Sequence, residues 1–291
     1  MKKTLNLTIF ILFILFQHFA ANAQWVQTNG PNGANIRALA TIGTNVFAGT
    51  DGAGVYLSTN NGSSWTVVNN GLSNKSVNTL AVIATTVFAG TSDGVFISSN
   101  NGSSWSLVNS GMSGYSVNKL AVIGTTIFAG TDDGVFRSTN NGSSWTAVNN
   151  GLSGSFDSGI GSLAVNGTTI FASTDEGVFR STNNGNSWSD VSNGIPIDPF
   201  GGGVYNLAVN GTSIYVASGA GVGRSTNNGN TWVDVTNALA NASFLTFAPS
   251  GTNYFAGTDI GMFLSTNSGS SWTAVNNGLT NTSVTALIVV G

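Results

Sequence analysis

One eight-residue stretch constrains this chain more than any other. Ser58-Thr59-Asn60-Asn61-Gly62-Ser63-Ser64-Trp65 returns almost letter for letter, ending at Trp105, Trp145, Trp188, Trp232 and Trp272, at intervals of 40, 40, 43, 44 and 40 residues. A unit of that length is one four-stranded sheet, too small to bury its own apolar faces, so neighbouring copies must stack. The expectation is an all-β propeller of four-stranded antiparallel blades.

Each residue type in the stretch has a physical task. The fifth-position Gly supplies the left-handed backbone a tight turn needs. The third-position Asn (Asn60, Asn100, Asn140, Asn183, Asn227, Asn267) offers an acceptor oxygen to the N–H groups of that turn. The Trp then re-enters the sheet and buries roughly 150–250 Å², an upper bound of roughly 4 kcal/mol at about 25 cal/mol per Å². The stretch therefore reads as a folding clasp rather than a ligand site.

With its leading Ser (Ser58, Ser98, Ser138, Ser181, Ser225, Ser265), its Gly and its Trp, the pattern resembles the Asp-box, or bacterial-neuraminidase repeat, Ser-x-Asp-x-Gly-x-Thr-Trp. It departs in having Asn for Asp and, in most copies, Ser for Thr before the Trp. Asn keeps the acceptor and drops the charge. The resemblance implies a propeller in which the box marks the fold and lies away from catalytic groups. That family spans sialidases, xyloglucan hydrolases, sortilin-type receptors and photosystem II assembly factors, so it implies no single function.

Residues 1–23 read as a secretory signal peptide, with Lys2-Lys3, an apolar run from Ile9 to Phe16, and Ala21-Asn22-Ala23 at the cleavage site. The run is shorter than the ~20 residues a membrane span needs. The propeller is assigned to 24–291, secreted, periplasmic or at the cell surface, with no membrane span. Export removes the only His, His18, together with Lys2 and Lys3, leaving six basic residues against eleven acidic ones. That balance argues against nucleic acid as a partner. With no Cys in the chain, nucleophiles of the Ser-His-Asp and Cys-His kinds and His/Cys metal centres fall away. No metal or cofactor is expected, and the chain is expected to be a monomer.

The unit is clearest at 117–151. Val117–Ile123 is its first strand, Thr126–Thr131 its second, Val135–Ser138 its third and Trp145–Val148 its fourth, with Asp132-Asp133-Gly134 as a hairpin turn. First-strand patterns begin near Ile36, Val77, Val117, Ile160, Val204, Ser243 and Val284. Fourth-strand patterns begin at Trp25 and at the six clasp Trp residues. Both occur seven times, against six for the middle strands. The expectation is a seven-bladed ring whose last blade is incomplete, the chain being cut short at its C-terminus; a six-bladed ring is the alternative.

Two connections, 154–159 and 195–203, are longer than the rest. They share a mouth with the turns Asp132-Asp133 and Asp175-Glu176, gathering Phe156, Asp157, Asp198, Phe200, Asp133 and Glu176 on one side of the ring. Aromatic faces and carboxylates suit a sugar or a protein loop; the plainer reading is two insertions beside ordinary Asp-Gly turns. Arg137, Arg180 and Arg224 recur just before the clasp, away from that mouth. Glu176, the only Glu, sits in a turn, so sialidase chemistry is not expected. The functional expectation is a secreted, non-enzymatic binding or scaffold module for protein or glycan at the acidic mouth. The alternative is a glycoside hydrolase resembling the xyloglucan hydrolases, with Asp157 and Asp198 as its carboxylate pair.

Overall fold

The computed structural model describes residues 24–31, 34–153, 159–196, 203–236, 239, 244–250 and 253–289. The leader expected at 1–23 lies outside them. Six antiparallel sheets, each of four strands in chain order, occupy 36–67, 77–107, 117–147, 162–190, 204–234 and 244–274; these are blades 1 to 6. In blade 3, Val117–Ile123 pairs with Thr126–Thr131, which pairs with Gly134–Ser138, which pairs with Thr146–Ala147.

The expected seven-bladed ring is corrected by this count. Six sheets form, and residues 284–289 build no strand and no seventh sheet among the described residues. The sequence count misled because Val284 and Trp25 carry fragments of the first- and fourth-strand patterns without the middle strands. A sheet is defined by its hydrogen-bonded ladder, and two fragments separated by the width of a hairpin cannot form one.

Strand chemistry sets the radial order. In blade 3 the second strand is buried at five successive residues, Ile127 to Thr131, whereas both residues of the fourth strand are exposed. Sheets stacked face to face bury both sides of a strand, so apolar residues run on without alternating. The stacking is close: a Cβ on Gly130 would lie 2.7 Å from Ile160 of blade 4.

The clasp is the joint between sheets. In blade 3, Gly142 N–H donates to Ser138 Oγ (2.9 Å) and Ser144 N–H to Asn140 Oδ1 (3.0 Å). Asn140 Nδ2 donates to Ser144 Oγ at 2.9 Å, a bond a carboxylate could not donate, so Asn and the hydroxyl residue before Trp form a matched pair. Trp145 then reaches into blade 2, its N–H donating to Ser110 O (2.8 Å) and its indole Nε1 to Val108 O (2.7 Å). Trp105, Trp188 and Trp232 repeat the indole bond to Val68, Val148 and Val191 of the preceding blade.

The arginines reach the opposite way. Arg137 donates to Asn184 O (2.7 Å) and Asn186 Oδ1 (2.8 Å) in the clasp of blade 4, and Arg180 to Asn228 O and Asn230 Oδ1 (both 2.7 Å) in that of blade 5. Arg224 turns to Ser213 Oγ instead. The carbonyl it would have met, Ser268 O, takes the Tyr215 hydroxyl at 2.7 Å. These bonds account for the three arginines as ties within and between blades.

Candidate functional site at the acidic mouth

The turns between second and third strands and the connections between blades come together on one mouth of the ring. Gly52 N–H donates to Lys75 O (3.1 Å) and Ile160 N–H to Thr131 O (2.9 Å), tying these connections to the turn of the preceding blade. Of the six residues expected to form a site, Phe156, Asp157, Asp198 and Phe200 lie outside the described residues. The other two are placed on adjacent blades, Asp133 in the turn of blade 3 and Glu176 in that of blade 4. No described hydrogen bond joins them. The long connections do return to these turns: Gly159 lies against Asp132, and Gly203 against Asp175.

Each acidic turn is fixed from both sides. Thr131 Oγ1 donates to Gly134 O (2.9 Å) and accepts from Asp133 N–H (3.1 Å). From the far end of the blade, Asn149 accepts from Val135 N–H (2.8 Å) and donates to Asp133 O (3.2 Å). In blade 4, Glu176 N–H donates to Thr174 Oγ1 (3.2 Å), while Ser192 Oγ accepts from Val178 N–H (2.9 Å). The backbone groups are thus satisfied internally, and the Asp133 and Glu176 residues remain exposed. A turn whose backbone is already held loses little freedom when it takes a partner.

Sequence reasoning missed Tyr115, on the connection entering blade 3. Its ring lies 5.5 Å from that of Phe136, and the Asp133 carboxylate beside it raises the phenol above its usual range. An aromatic face next to a turn acid is the combination sought at Phe156 and Asp157, supplied here by a different loop. The recurrence of Val-Asn-Asn-Gly at 68–71, 148–151 and 275–278 was the signal for the Asn that braces the turns of blades 1, 3 and 6.

A second missed cluster lies toward the channel formed by the first strands. Arg37 donates to Asp51 Oδ2 (2.6 Å) and Asn78 Oδ1 (2.9 Å), and Ser76 Oγ donates to Asp51 Oδ1 (3.1 Å). Arg37, Asn78, Thr79, Lys119 and Thr285 line a cavity of about 230 Å³. Burial there lowers the Lys119 ammonium from its ordinary range. Basic groups therefore face the channel and acidic ones its rim. Among the described residues, no group of three or more His, Cys, Asp or Glu could hold a metal ion, and no helix is long and apolar enough to cross a membrane.

The architecture has parallels among known proteins. The DUF6242 beta propeller domain family matches residues 20–155. No curated protein matches the chain. The extracellular domain described for a one component system of B. thetaiotaomicron superposes with a TM-score of 0.74 at 15% identity, covering 91% of this chain and 37% of that one. This chain thus spans well under half the length of that protein. YCF48 from Cyanidioschyzon merolae gives 0.66 at 15% identity, with 87% and 88% covered. A YCF48 structure bound to D1 peptide gives 0.65 at 15%, with 87% and 84% covered. An ancestral GH74 enzyme gives 0.51 at 20%, with 91% and 57% covered. At such identities the likeness is one of fold.

The Arg37–Asp51 pair gives a pH prediction. The Arg37 side chain, then Ser76, hold the Asp51 carboxyl below its usual value. A depressed folded pKa contributes stability above the ordinary carboxylate range, lost as pH falls through the depressed value. Followed by carboxyl carbon NMR, Asp51 should titrate below a peptide aspartate, and Arg37→Gln should move its midpoint back up. An unmoved midpoint would remove the pair from any account of the mouth.

Proposed function

We propose that this chain is an exported, non-enzymatic binding propeller that takes a protein segment or a glycan at its acidic mouth. The observation that carries the reading is the pair of braced turns on adjacent blades, which present the exposed acidic residues Asp133, with the Tyr115 ring beside it, and Glu176. The Asp-box reading of the clasps belongs to the same proposal: their polar groups are engaged in the fold and leave the rim turns to recognise a partner. Export by the 1–23 leader fits the extracellular setting of the B. thetaiotaomicron domain, and peptide recognition has a precedent in YCF48 bound to D1 peptide.

The test is a panel of immobilised glycans together with a library of Lys- and Arg-containing nonapeptides. Asp133→Asn combined with Glu176→Gln is expected to weaken the best binder by about tenfold at low salt and by less at high salt, since exposed charges are screened. The likeness to a GH74 enzyme motivates a second reading, a glycoside hydrolase using Asp157 and Asp198. Xyloglucan turnover abolished by Asp157→Asn or Asp198→Asn would establish that reading and end the first.

A further inference from the structure

Blades 6 and 1 do not meet as the other neighbours do. Two single segments stand between them, each seated like a strand of an ordinary blade. Trp25 N–H donates to Asn277 O (2.9 Å) and its Nε1 to Val275 O (2.6 Å), repeating the bonds of Trp145 to Ser110 and Val108. Val284 N–H donates to Thr258 O (2.9 Å) as Ile160 N–H does to Thr131 O, and Val284 packs on Gly257 as Ile160 does on Gly130. Thr285 Oγ1 donates to Ile36 O (2.5 Å), where Asn78 Nδ2 donates to Val117 O (3.1 Å). Residues 284–289 thus hold an inner seat and Trp25–Gln27 an outer one.

Between those seats the described residues place no strand, and the walls register it. Phe255 is half-buried, although its counterparts Phe47, Phe88, Phe128 and Phe171 are at 0% exposure and Tyr215 at 1%. Ile36 is half-buried, although Val77, Val117 and Ile160 are at 0%. Trp65 is half-buried, its Nε1 turned to Gly62 O of its own clasp at 3.0 Å, where four other clasp indoles bond the preceding blade. Beyond the Val284 N–H, no backbone group of 285–289 is paired with backbone among the described residues. A cavity of about 330 Å³ opens there, lined by Trp25, Gln27, Ile36, Leu39, Leu279 and Val284.

We propose that this seam docks a β-hairpin from outside the described fold, by strand addition to the edge at 285–289. The guest's chemistry follows from six filled seats in the same ring. Its first strand carries the pattern aliphatic-Phe-Ala-Gly-Thr, apolar on both faces, and its second returns beside Val26 and Gln27, as Phe136 and Arg137 pair with Ala147 and Thr146. A small residue is required opposite Ile36: the position is Gly49, Gly90, Gly130 and Gly257 in four blades and Ser173 and Ala217 in the other two, and a Cβ on Gly130 would already lie 2.7 Å from Ile160. The described residues keep six blades, and the guest is a partner's β-rich hairpin of this pattern.

The probe is a fluorescein-labelled peptide with the sequence of residues 126–138, added to the full chain. Saturable one-to-one binding by fluorescence polarisation is expected, with amide exchange at 285–289 slowed by about tenfold or more at saturation. The same peptide carrying Gly130→Val should bind at least about tenfold more weakly; this places the substitution in the guest, where it cannot unfold the host. Equal binding of both peptides, or protection confined to other segments, would overturn the proposal. A dimer of the chain that the peptide fails to displace, with 285–289 protected in it, would assign the seam to a second copy and overturn it equally.

Discussion

Trp145→Ala is expected to lower the free energy of unfolding by about 3–5 kcal/mol, the range for truncating a buried aromatic. The indole is 4% exposed and packs in one cluster with Phe88, Val95 and Met112 of the preceding blade and its connection. Removing it opens a cavity on the blade 2–blade 3 interface and strips the part-buried Val108 O of its 2.7 Å donor, a loss of about 1 kcal/mol. Trp65→Ala is the internal comparison. It has the same chemistry and the same clasp, but the indole is half-buried and satisfied by its own Gly62 O. Chemical denaturation should show a midpoint shift for Trp65→Ala well under half that for Trp145→Ala, with similar slopes. Equal shifts would mean that the clasp residue stabilises only its own hairpin and does not wedge between sheets.

How much of this was legible beforehand follows from which interactions are local. The clasp is a turn closed within seven residues, so Ser138, Asn140, Gly142 and Ser144 declare it in sequence. The hairpins on either side carry their own Asp-Gly and Asn-Gly signals. Blade number was not legible, because Val284 and Trp25 satisfy every local requirement of a blade strand while the ladder that defines a sheet is non-local. The same limit applies to the candidate site. Asp133 and Glu176 are readable as turn acids, but Tyr115 reaches Asp133 only through the path of a connection. Arg37 and Lys119 acquire their setting from which first strands face one another across the channel. Even the destination of Arg180, a clasp about fifty residues further on, depends on the curl of the ring.

Gly151→Ala is expected to be about as damaging as the loss of a core aromatic, and for a reason that burial of the glycine does not reveal. Gly151 adopts φ +87°, and a Cβ there would lie 2.3 Å from Trp188 O, a backbone atom that cannot rotate aside. The left-handed conformation alone costs a non-glycine residue roughly 1–2 kcal/mol. Relieving the overlap must also move Trp188 away from blade 3. That strains the bonds from its N–H to Asn150 O (2.8 Å) and from its Nε1 to Val148 O (2.7 Å), each contributing about 1 kcal/mol. A total near 3–4 kcal/mol follows from those contributions. Gly167→Ala separates the two causes, because Gly167 has φ +61° with nothing within 4 Å of a built Cβ, leaving only the conformational cost. Thermal unfolding of the two variants should therefore differ by about 2 kcal/mol, with Gly167→Ala the milder. If the two fall together, backbone handedness explains both, and the approach of Gly71, Gly111 and Gly151 to the next blade's Trp carbonyl is not what locks those neighbouring sheets in place.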